Sequence, residues 1–346
     1  MKDGIKKVLW TLVLLLLIGL TIWTVTGTNE SFTFKGFAAY VKSASLGWIL
    51  AALGCMCGFF LFEALALKTL CSAFGCKRPM RKCVVYSAAD IYFSAITPSA
   101  TGGQPASAYF MMKNKIPGTA TTMILLVNLT LYTASIIVIG AVCFMTRPAM
   151  LMHFSLVSKI MIFAGICIQL ALLALFLLLV YKEKIITRCA DLFLKVFHKL
   201  HLVKNVEEKQ QKLKRMEKQY KECAKAIGSH KKHILAAMTF NLLQRVSLIM
   251  VSVCVFIGIG GKKVFDAFVA QGFVVLGSNS VPIPGAVGAA DYLFIDSFGH
   301  LVDDSVSIEL LSRGISFYCC IIVCGLITLT AYLLRGVKGM RQKKKC

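Results

Sequence analysis

The sequence predicts an all-α polytopic membrane protein with about six full transmembrane helices and two re-entrant helical hairpins in an inverted repeat. The composition is the first reason, because 57% of the 346 residues are hydrophobic and only 16% are charged, unlike soluble globular domains. The second is a series of apolar runs long enough to cross a bilayer core of about 30 Å. The third is the placement of 39 Lys and Arg residues, which outnumber 16 Asp and Glu and give a net charge of +23. The low charged fraction excludes a disordered chain, and the length of the chain and the positions of its 14 cysteines exclude a secreted disulfide scaffold.

Eight apolar segments make up the predicted elements. Full spans are predicted at 8–27, 46–69, 119–146, 156–181, 234–260 and 307–334. Two further segments, 83–112 and 264–299, are broken by Pro- and Gly-rich stretches at 97–105 and 278–288. Pro removes a backbone donor and Gly tolerates positive φ, so each break leaves the helix. Neither arm of a broken segment is long enough to cross comfortably, so each pair is predicted to enter and leave on one side.

Basic residues predict the orientation. The segments 1–7, 68–82, 113–118, 182–233 and 335–346 contain 31 Lys and Arg, whereas the opposite loops contain six. Cytoplasmic loops carry such an excess, so both termini are predicted to be cytoplasmic. The segment 182–233 is predicted to be a basic amphipathic insertion on the lipid surface, and 335–346 a basic tail. No nucleic acid partner is expected, because membrane segments flank the insertion and acidic residues interrupt it.

The two halves of the chain show the same order of elements. Residues 1–146 and 156–334 each read as span, span, hairpin and span, and three crossings per half invert the second half relative to the first. Inverted repeats with paired broken helices are typical of secondary transporters, whose sites lie where the breaks meet. The sequence therefore predicts a working site between the two breaks.

The first hairpin carries a polar stripe that leads to its break. Ser87, Asp90, Ser94 and Thr97 share one helical face, which is expected to face protein or water. The break contains no carboxylate, and the returning helix would present its N-terminus to an anionic headgroup. Simple adhesion between helices is the alternative for the stripe. The candidate residues of the break are Pro98, Thr101, Gly102, Gly103 and Gln104.

Arg245 and Arg313 are the two cations predicted at membrane depth. Arg245 has no acidic residue on its own helix, so its candidate partners are Glu63, Asp90, Asp291 or a lipid phosphate. Arg313 follows Glu309 by four residues, and a local ion pair is an equal alternative to a transport role.

The second hairpin offers a comparable set of polar residues. Asp291 begins the returning helix, where it could cap the helix or receive a cation such as an ammonium. The other candidates at this break are Gln271, Asn279, Pro282, Pro284, Gly285 and Gly288.

Catalytic and metal-binding signatures do not stand out in the sequence. Zincin, Cys-x-x-Cys, nucleophile-elbow and Walker patterns are missing from it. The sequence thus predicts no catalytic residue, no metal site and no cofactor.

Both breaks resemble a known family. Ile96–Pro105, and Pro282–Asp291 with Arg313 downstream, are similar to the lysylphosphatidylglycerol synthase transmembrane-region family, which includes the flippase half of the bacterial multiple peptide resistance factor. The resemblance implies a multi-pass protein of the bacterial inner or plasma membrane that moves aminoacylated phosphatidylglycerol or a related phospholipid between leaflets. It also implies resistance to cationic antimicrobial peptides.

The sequence departs from the family pattern at three places. Gln104 stands where many members have Glu, Ala286 where many have Gly, and Asp291 where many have Glu. The chain ends at Cys346, so the soluble aminoacyl-transferase domain is expected to be missing, although family naming would suggest a lysyltransferase. A small-solute or ion transporter, or a membrane partner of a separate synthase, remains an alternative. A homo-oligomer is also open.

Overall fold

A computed structural model describes residues 44–97, 100–181 and 228–343, with side chains except at 181 and 335–343. These ranges contain ten α-helices and no strand. The predicted span 8–27, Pro98 and residues 182–227 of the predicted insertion lie outside the described residues.

Five helical segments are long and apolar enough to cross a membrane in the described part of the chain. They are α1 (Leu46–Ala73), α4 (Gly118–Thr146), α5 (Leu156–Tyr181), α6 (Lys231–Gly258), and a composite of α9 (Ser305–Arg313), a π-helical turn (Gly314–Cys319) and α10 (Cys320–Lys343). A 3₁₀ turn, Pro148–His153, joins α4 to α5.

The two broken segments each form a pair of packed helices. The first hairpin consists of α2 (Met80–Ile96) and α3 (Gly103–Lys113), and the second of α7 (Val264–Ser278) and α8 (Ala289–Phe298). Within each hairpin the two helices pack against one another.

The ends of each hairpin lie together. Arg78, before α2, donates hydrogen bonds to the carbonyls of Asn114 (3.0 Å) and Lys115 (3.4 Å), after α3. In the second hairpin, Asp266 pairs with Arg147 at 2.8 Å, and the imidazole of His300 lies 2.7 Å from the carbonyl of His153. Both ends of the second hairpin therefore touch the 147–155 connection, as a re-entrant path requires.

Pro and Gly determine where the helices end. Thr97 ends α2 in an extended conformation (φ −113°, ψ 144°), which is the conformation favoured before a proline. The second break turns through positive φ at Gly285 (61°), Ala286 (50°) and Gly288 (83°). Ala286 thus adopts a left-handed conformation that favours glycine.

Helix α6 is central to the packing. It contacts α1 along most of its length and also contacts α4, α7 and α9. The turn Pro284–Ala286 of the second break packs against α2, so the two breaks are neighbours. The prediction of an all-α polytopic membrane protein is confirmed, and the inverted repeat and the domain boundaries stay predictions.

Candidate functional site between the helix breaks

A cavity of about 220 Å³ separates the two breaks. Ser94 and Ala100 of the first hairpin form one wall, and Arg245 and Leu248 of α6 form a second. The remaining wall belongs to the second hairpin and consists of Val275, Ser278, Asn279, Val281, Ile283, Gly285, Ala286 and Ala290.

Arg245 is the cationic group of the cavity wall. Its residue is only 6% exposed, and its guanidinium lies 4.3 Å from the ring centre of Tyr132 and 5.1 Å from that of Phe59. Its Nη1 donates to the Tyr132 hydroxyl at 3.2 Å, and its Nε has no hydrogen-bond partner. Within the described residues it forms no ion pair. A buried arginine in the cavity wall therefore has donor capacity unused.

Tyr132 connects Arg245 to the second break. Its hydroxyl accepts from Arg245 and donates to Oδ1 of Asn279 at 2.7 Å. This chain of hydrogen bonds runs from α6 through α4 to the end of α7, so it links the two halves of the chain across one side of the cavity.

The first break is organised around Asp90. Oδ1 of Asp90 accepts from the Ser94 hydroxyl at 3.2 Å, and Oδ2 accepts from the Gln104 amide at 2.9 Å. Thr97 closes the break, because its hydroxyl accepts from the Gly102 amide at 2.9 Å and donates to the Phe93 carbonyl at 2.6 Å.

Gly103 allows α3 to begin directly against Asp90. A Cβ atom at this position would overlap the Ser94 hydroxyl and the Asp90 carboxylate, and would lie 2.6 Å from the Asp90 carbonyl oxygen. Because backbone and polar atoms surround the position, only glycine fits without a shift of α3 against α2. The N-terminus of α3 is therefore held beside a carboxylate.

Glu63 adds a second carboxylate to this region. It is buried in α1, accepts from the Gln244 amide at 3.0 Å, and interacts electrostatically with Asp90 and Arg245. We call Glu63, Asp90 and Arg245 the first charged cluster.

The second break also brings together two carboxylates and one arginine, and here the arginine pairs with both carboxylates. Nη1 of Arg313 pairs with Oδ1 of Asp291 and with Oε1 of Glu309 (3.4 Å), and Nη2 donates to the Gly285 carbonyl at 2.9 Å. Oδ2 of Asp291 accepts from the Gly288 amide at 2.8 Å, so the same carboxylate caps α8. We call Asp291, Glu309 and Arg313 the second charged cluster.

The sequence matches one described family over most of its length. The model of the lysylphosphatidylglycerol synthase TM region matches residues 8–324. The chain belongs to this family. No curated protein matches it. It is therefore a multi-pass membrane domain associated with lysylphosphatidylglycerol handling.

The structure of this family member brings together only part of the predicted site. Ser94, Arg245, Asn279 and Gly285 line the cavity, whereas Thr97, Gly102, Gly103 and Gln104 build the first break behind Ser94. Gly288, Asp291 and Arg313 belong to the closed second cluster. Pro282 and Thr101 are exposed, Pro284 starts the 3₁₀ turn, and Gln271 is not part of the cavity wall.

Two expectations at this site differ from the structure. The N-terminus of α3 was expected to have no carboxylate, yet Asp90 from α2 lies beside it, because the helices of the hairpin pack at Gly103. Asp291 was one candidate partner for Arg245, but it pairs with Arg313 instead, because α8 packs on α9. Asp291 therefore combines the predicted cap with an ion pair.

Sequence reasoning missed Tyr132 and the place of Glu309. Tyr132 lies in an apolar span whose composition gives no sign that its hydroxyl bridges Arg245 and Asn279. Glu309 was predicted only as a local partner of Arg313, and the structure adds Asp291 to that pair. No group of three or more His, Cys, Asp or Glu side chains arranged for a metal occurs in the described part of the chain.

Proposed function

We propose that this protein is a lipid flippase or scramblase that moves aminoacylated phosphatidylglycerol, or a related polar lipid, between leaflets. The observation that carries the proposal is the cavity between the breaks, with the buried Arg245 in its wall. The family supports the substrate class, because its described members are regions of lysylphosphatidylglycerol synthases.

The headgroup phosphate would bind Arg245. Guanidinium groups bind phosphate through paired donors, and Arg245 belongs to the cavity wall with one of its donors, Nε, unused.

The amine of an aminoacyl group would be received by Asp90 through Ser94. Ser94 lines the cavity and donates to Asp90, so an ammonium entering from the cavity meets the hydroxyl first. Asp291 is engaged by Arg313 and the α8 cap, which makes it a structural residue in this proposal. The acyl chains would stay in the lipid.

In a bacterial plasma membrane with both termini in the cytoplasm, this activity would place cationic lipid in the outer leaflet. Such a leaflet repels cationic peptides, so the proposed physiological outcome is peptide resistance. Phospholipids are the proposed partners, and no cofactor is invoked.

The test is leaflet exchange of fluorescent lysylphosphatidylglycerol in reconstituted vesicles. The protein should accelerate exchange above empty vesicles, and Arg245→Gln should slow it about 10- to 100-fold, because a hydrogen bond to a charged group contributes about 1.5–3 kcal/mol. The matched control is Arg147→Gln, which removes an exposed arginine paired with Asp266 and should leave the rate unchanged. Exchange no faster than in empty vesicles, or equal rates for Arg245→Gln and the wild-type protein, would refute the proposal.

A second candidate follows from the family description, in which the region belongs to a synthase. The protein would then be the membrane partner of a lysylphosphatidylglycerol synthase. Co-purification with a soluble synthase, together with unchanged leaflet exchange in Arg245→Gln, would favour this candidate over the flippase.

A further inference from the structure

The first charged cluster has more negative than positive groups. Glu63 and Asp90 are 6% and 5% exposed, and Arg245 is 6% exposed. With all three ionised the cluster carries one uncompensated negative charge in a buried region where Phe59 packs on the arginine. An unpaired buried charge is costly, and the usual outcome is that a carboxylate binds a proton.

The arginine of the first charged cluster forms no ion pair with its carboxylates, whereas the arginine of the second pairs with both of its carboxylates. In the second charged cluster one arginine contacts both carboxylates and the Gly285 carbonyl, and the Gly288 amide donates to Asp291. In the first charged cluster Arg245 forms no ion pair with Glu63 or Asp90, and it lies on the cavity wall. The first charged cluster can therefore exchange a charge with the cavity, whereas the second cannot do so without breaking its own contacts.

Ser94 supplies the connection between the cavity and the carboxylates. Ser94 lines the cavity, and its hydroxyl donates to Asp90 at 3.2 Å. Asp90 interacts with Glu63, and Ser87, one turn before Asp90, donates to the Phe60 carbonyl of the Glu63 helix at 3.3 Å. A proton can thus pass from the cavity through the Ser94 hydroxyl to Asp90, which is the acid nearest the cavity in this chain of contacts.

We propose that the first charged cluster holds one proton when the cavity is empty and releases it when a headgroup of net charge +1 binds, so that lipid and proton are exchanged. This inference rests on the proposed lipid-exchange function and adds its energy source. The released proton returns to water through the cavity, and another is taken from water when the headgroup leaves.

The charge of the headgroup determines the sign of the coupling. A lysyl headgroup has one phosphate and two ammonium groups below the amine pKa of about 8, and its net charge of +1 replaces the proton. A headgroup of net zero charge, such as that of phosphatidylethanolamine, leaves the proton in place. Only the cationic lipid therefore responds to a proton gradient.

Other titratable or polar groups that face the two carboxylates come from every element packed against them. Arg245 and Gln244 lie on α6, Ser87 on α2, and Cys320 at the start of α10. Gln104 on α3 and Ser94 on α2 contact Asp90. Arg245 is the one cationic side chain among these partners, and Glu63 and Asp90 are the two carboxylates that can bind the proton.

The experiment uses sealed vesicles that contain the full chain and a trace of fluorescent lysylphosphatidylglycerol, with about pH 6 inside and about pH 5 outside, below the amine pKa. Protons that flow inward should move the lipid to the outer leaflet, whichever way the protein is inserted. One pH unit should give about a tenfold outer-to-inner ratio, and reversing the gradient should reverse the ratio. Fluorescent phosphatidylethanolamine in parallel vesicles should reach a ratio of one.

Two variants separate this inference from a general loss of fold. Glu63→Gln leaves one carboxylate and one guanidinium, needs no proton, and should equilibrate lysylphosphatidylglycerol to a ratio of one despite the gradient. Glu309→Gln removes a buried acid from the second charged cluster and should keep the tenfold ratio. Continued exchange of phosphatidylethanolamine would show that Glu63→Gln is folded.

A ratio of one for the wild-type protein, with exchange clearly above empty vesicles, would overturn the coupling and leave the flippase proposal intact. A tenfold ratio that survives Glu63→Gln would also overturn it. Absence of all exchange would instead refute the proposed function itself.

Discussion

At the scale of single residues, the two membrane-depth arginines illustrate two ways to bury a cation. Arg313 is surrounded by Asp291, Glu309 and the Gly285 carbonyl, and the pairing offsets part of the desolvation cost of each charge. Arg245 rests on two aromatic rings and one hydroxyl, which leaves its charge available to a ligand. The first arrangement is typical of a structural ion pair, and the second is typical of a residue that binds a ligand.

Replacing Arg313 is predicted to destabilise the protein strongly. Arg313→Ala leaves Asp291 and Glu309 buried without their cation, and the loss of one partner from a buried pair costs about 3–5 kcal/mol. Arg147→Ala is the control, since its side chain is 54% exposed in the pair with Asp266 and such pairs contribute about 0–1 kcal/mol. Reversible unfolding in mixed detergent micelles measures both. Equal losses of unfolding free energy for the two variants would contradict the assignment of Arg313 as the cation that compensates Asp291 and Glu309.

The sequence identifies both arginines, but of the two carboxylates that pair with Arg313 it indicates only Glu309. The Glu309–Arg313 pair is readable because the residues are four apart on one helix. Asp291 precedes Arg313 by 22 residues, and the bridge between them depends on how α8 packs against α9. The same limit applies to Tyr132, whose role depends on three helices at once.

At the scale of elements, helix α7 is held by two glycines on different helices. Gly140 of α4 and Gly165 of α5 both face Leu276 near the end of α7. A Cβ atom on Gly140 would lie 2.6 Å from a terminal methyl of the Leu276 side chain, whereas one on Gly165 would overlap the Leu276 carbonyl oxygen. Small residues that admit a neighbouring backbone are a common device in membrane helix packing.

The two glycines are predicted to respond differently to a change at Leu276. Both Gly140→Ala and Gly165→Ala should destabilise the fold, each by about 1–3 kcal/mol, through overpacking. Leu276→Ala should partly rescue Gly140→Ala, because it removes the methyl that the new atom meets. Leu276→Ala should not rescue Gly165→Ala, because the backbone carbonyl remains. The unfolding free-energy changes of these two substitutions should therefore add within about 0.5 kcal/mol.

A double-mutant cycle by reversible unfolding gives both coupling energies. Gly54→Ala serves as the control, since nothing lies within 4 Å of its Cβ position and the change should be neutral or slightly stabilising. Rescue of both variants to the same extent would contradict the backbone contact at Gly165.

The sequence predicted where the helices break better than it predicted which side chains pack around each break. Pro and Gly in the two breaks act on the local backbone, so the ends of α2 and α7 follow from local chemistry. The seat of Asp90 beside Gly103 depends on how α3 packs against α2. Local sequence patterns therefore did not predict that a carboxylate lies at the start of α3.

At the scale of the whole molecule, polar groups are turned inward and apolar surface faces outward. The most apolar windows of α5 and of the α9–α10 composite are each only 17% buried, as expected for helices that face lipid. Glu63, Asp90, Arg245 and Arg313 are all buried. Hydropathy and charge placement determine this distribution, which is why the fold class could be predicted without knowledge of any contact.

The predicted re-entrant path of the first hairpin can be tested through the topology of the whole molecule. Arg78 contacts the carbonyls of Asn114 and Lys115 across the open end of the hairpin, so the connections before and after it should lie on one side of the membrane. Protease sites inserted after the exposed Lys77 and after the exposed Lys115 should both be cut in inside-out vesicles and protected in right-side-out vesicles. A site after Met152, which is 78% exposed in the connection between α4 and α5, should show the reverse pattern and serves as the control. Cleavage of the Lys77 and Lys115 sites from opposite sides would mean that the hairpin crosses the membrane, which would place the two breaks in different positions relative to the bilayer and remove the basis for a shared headgroup path.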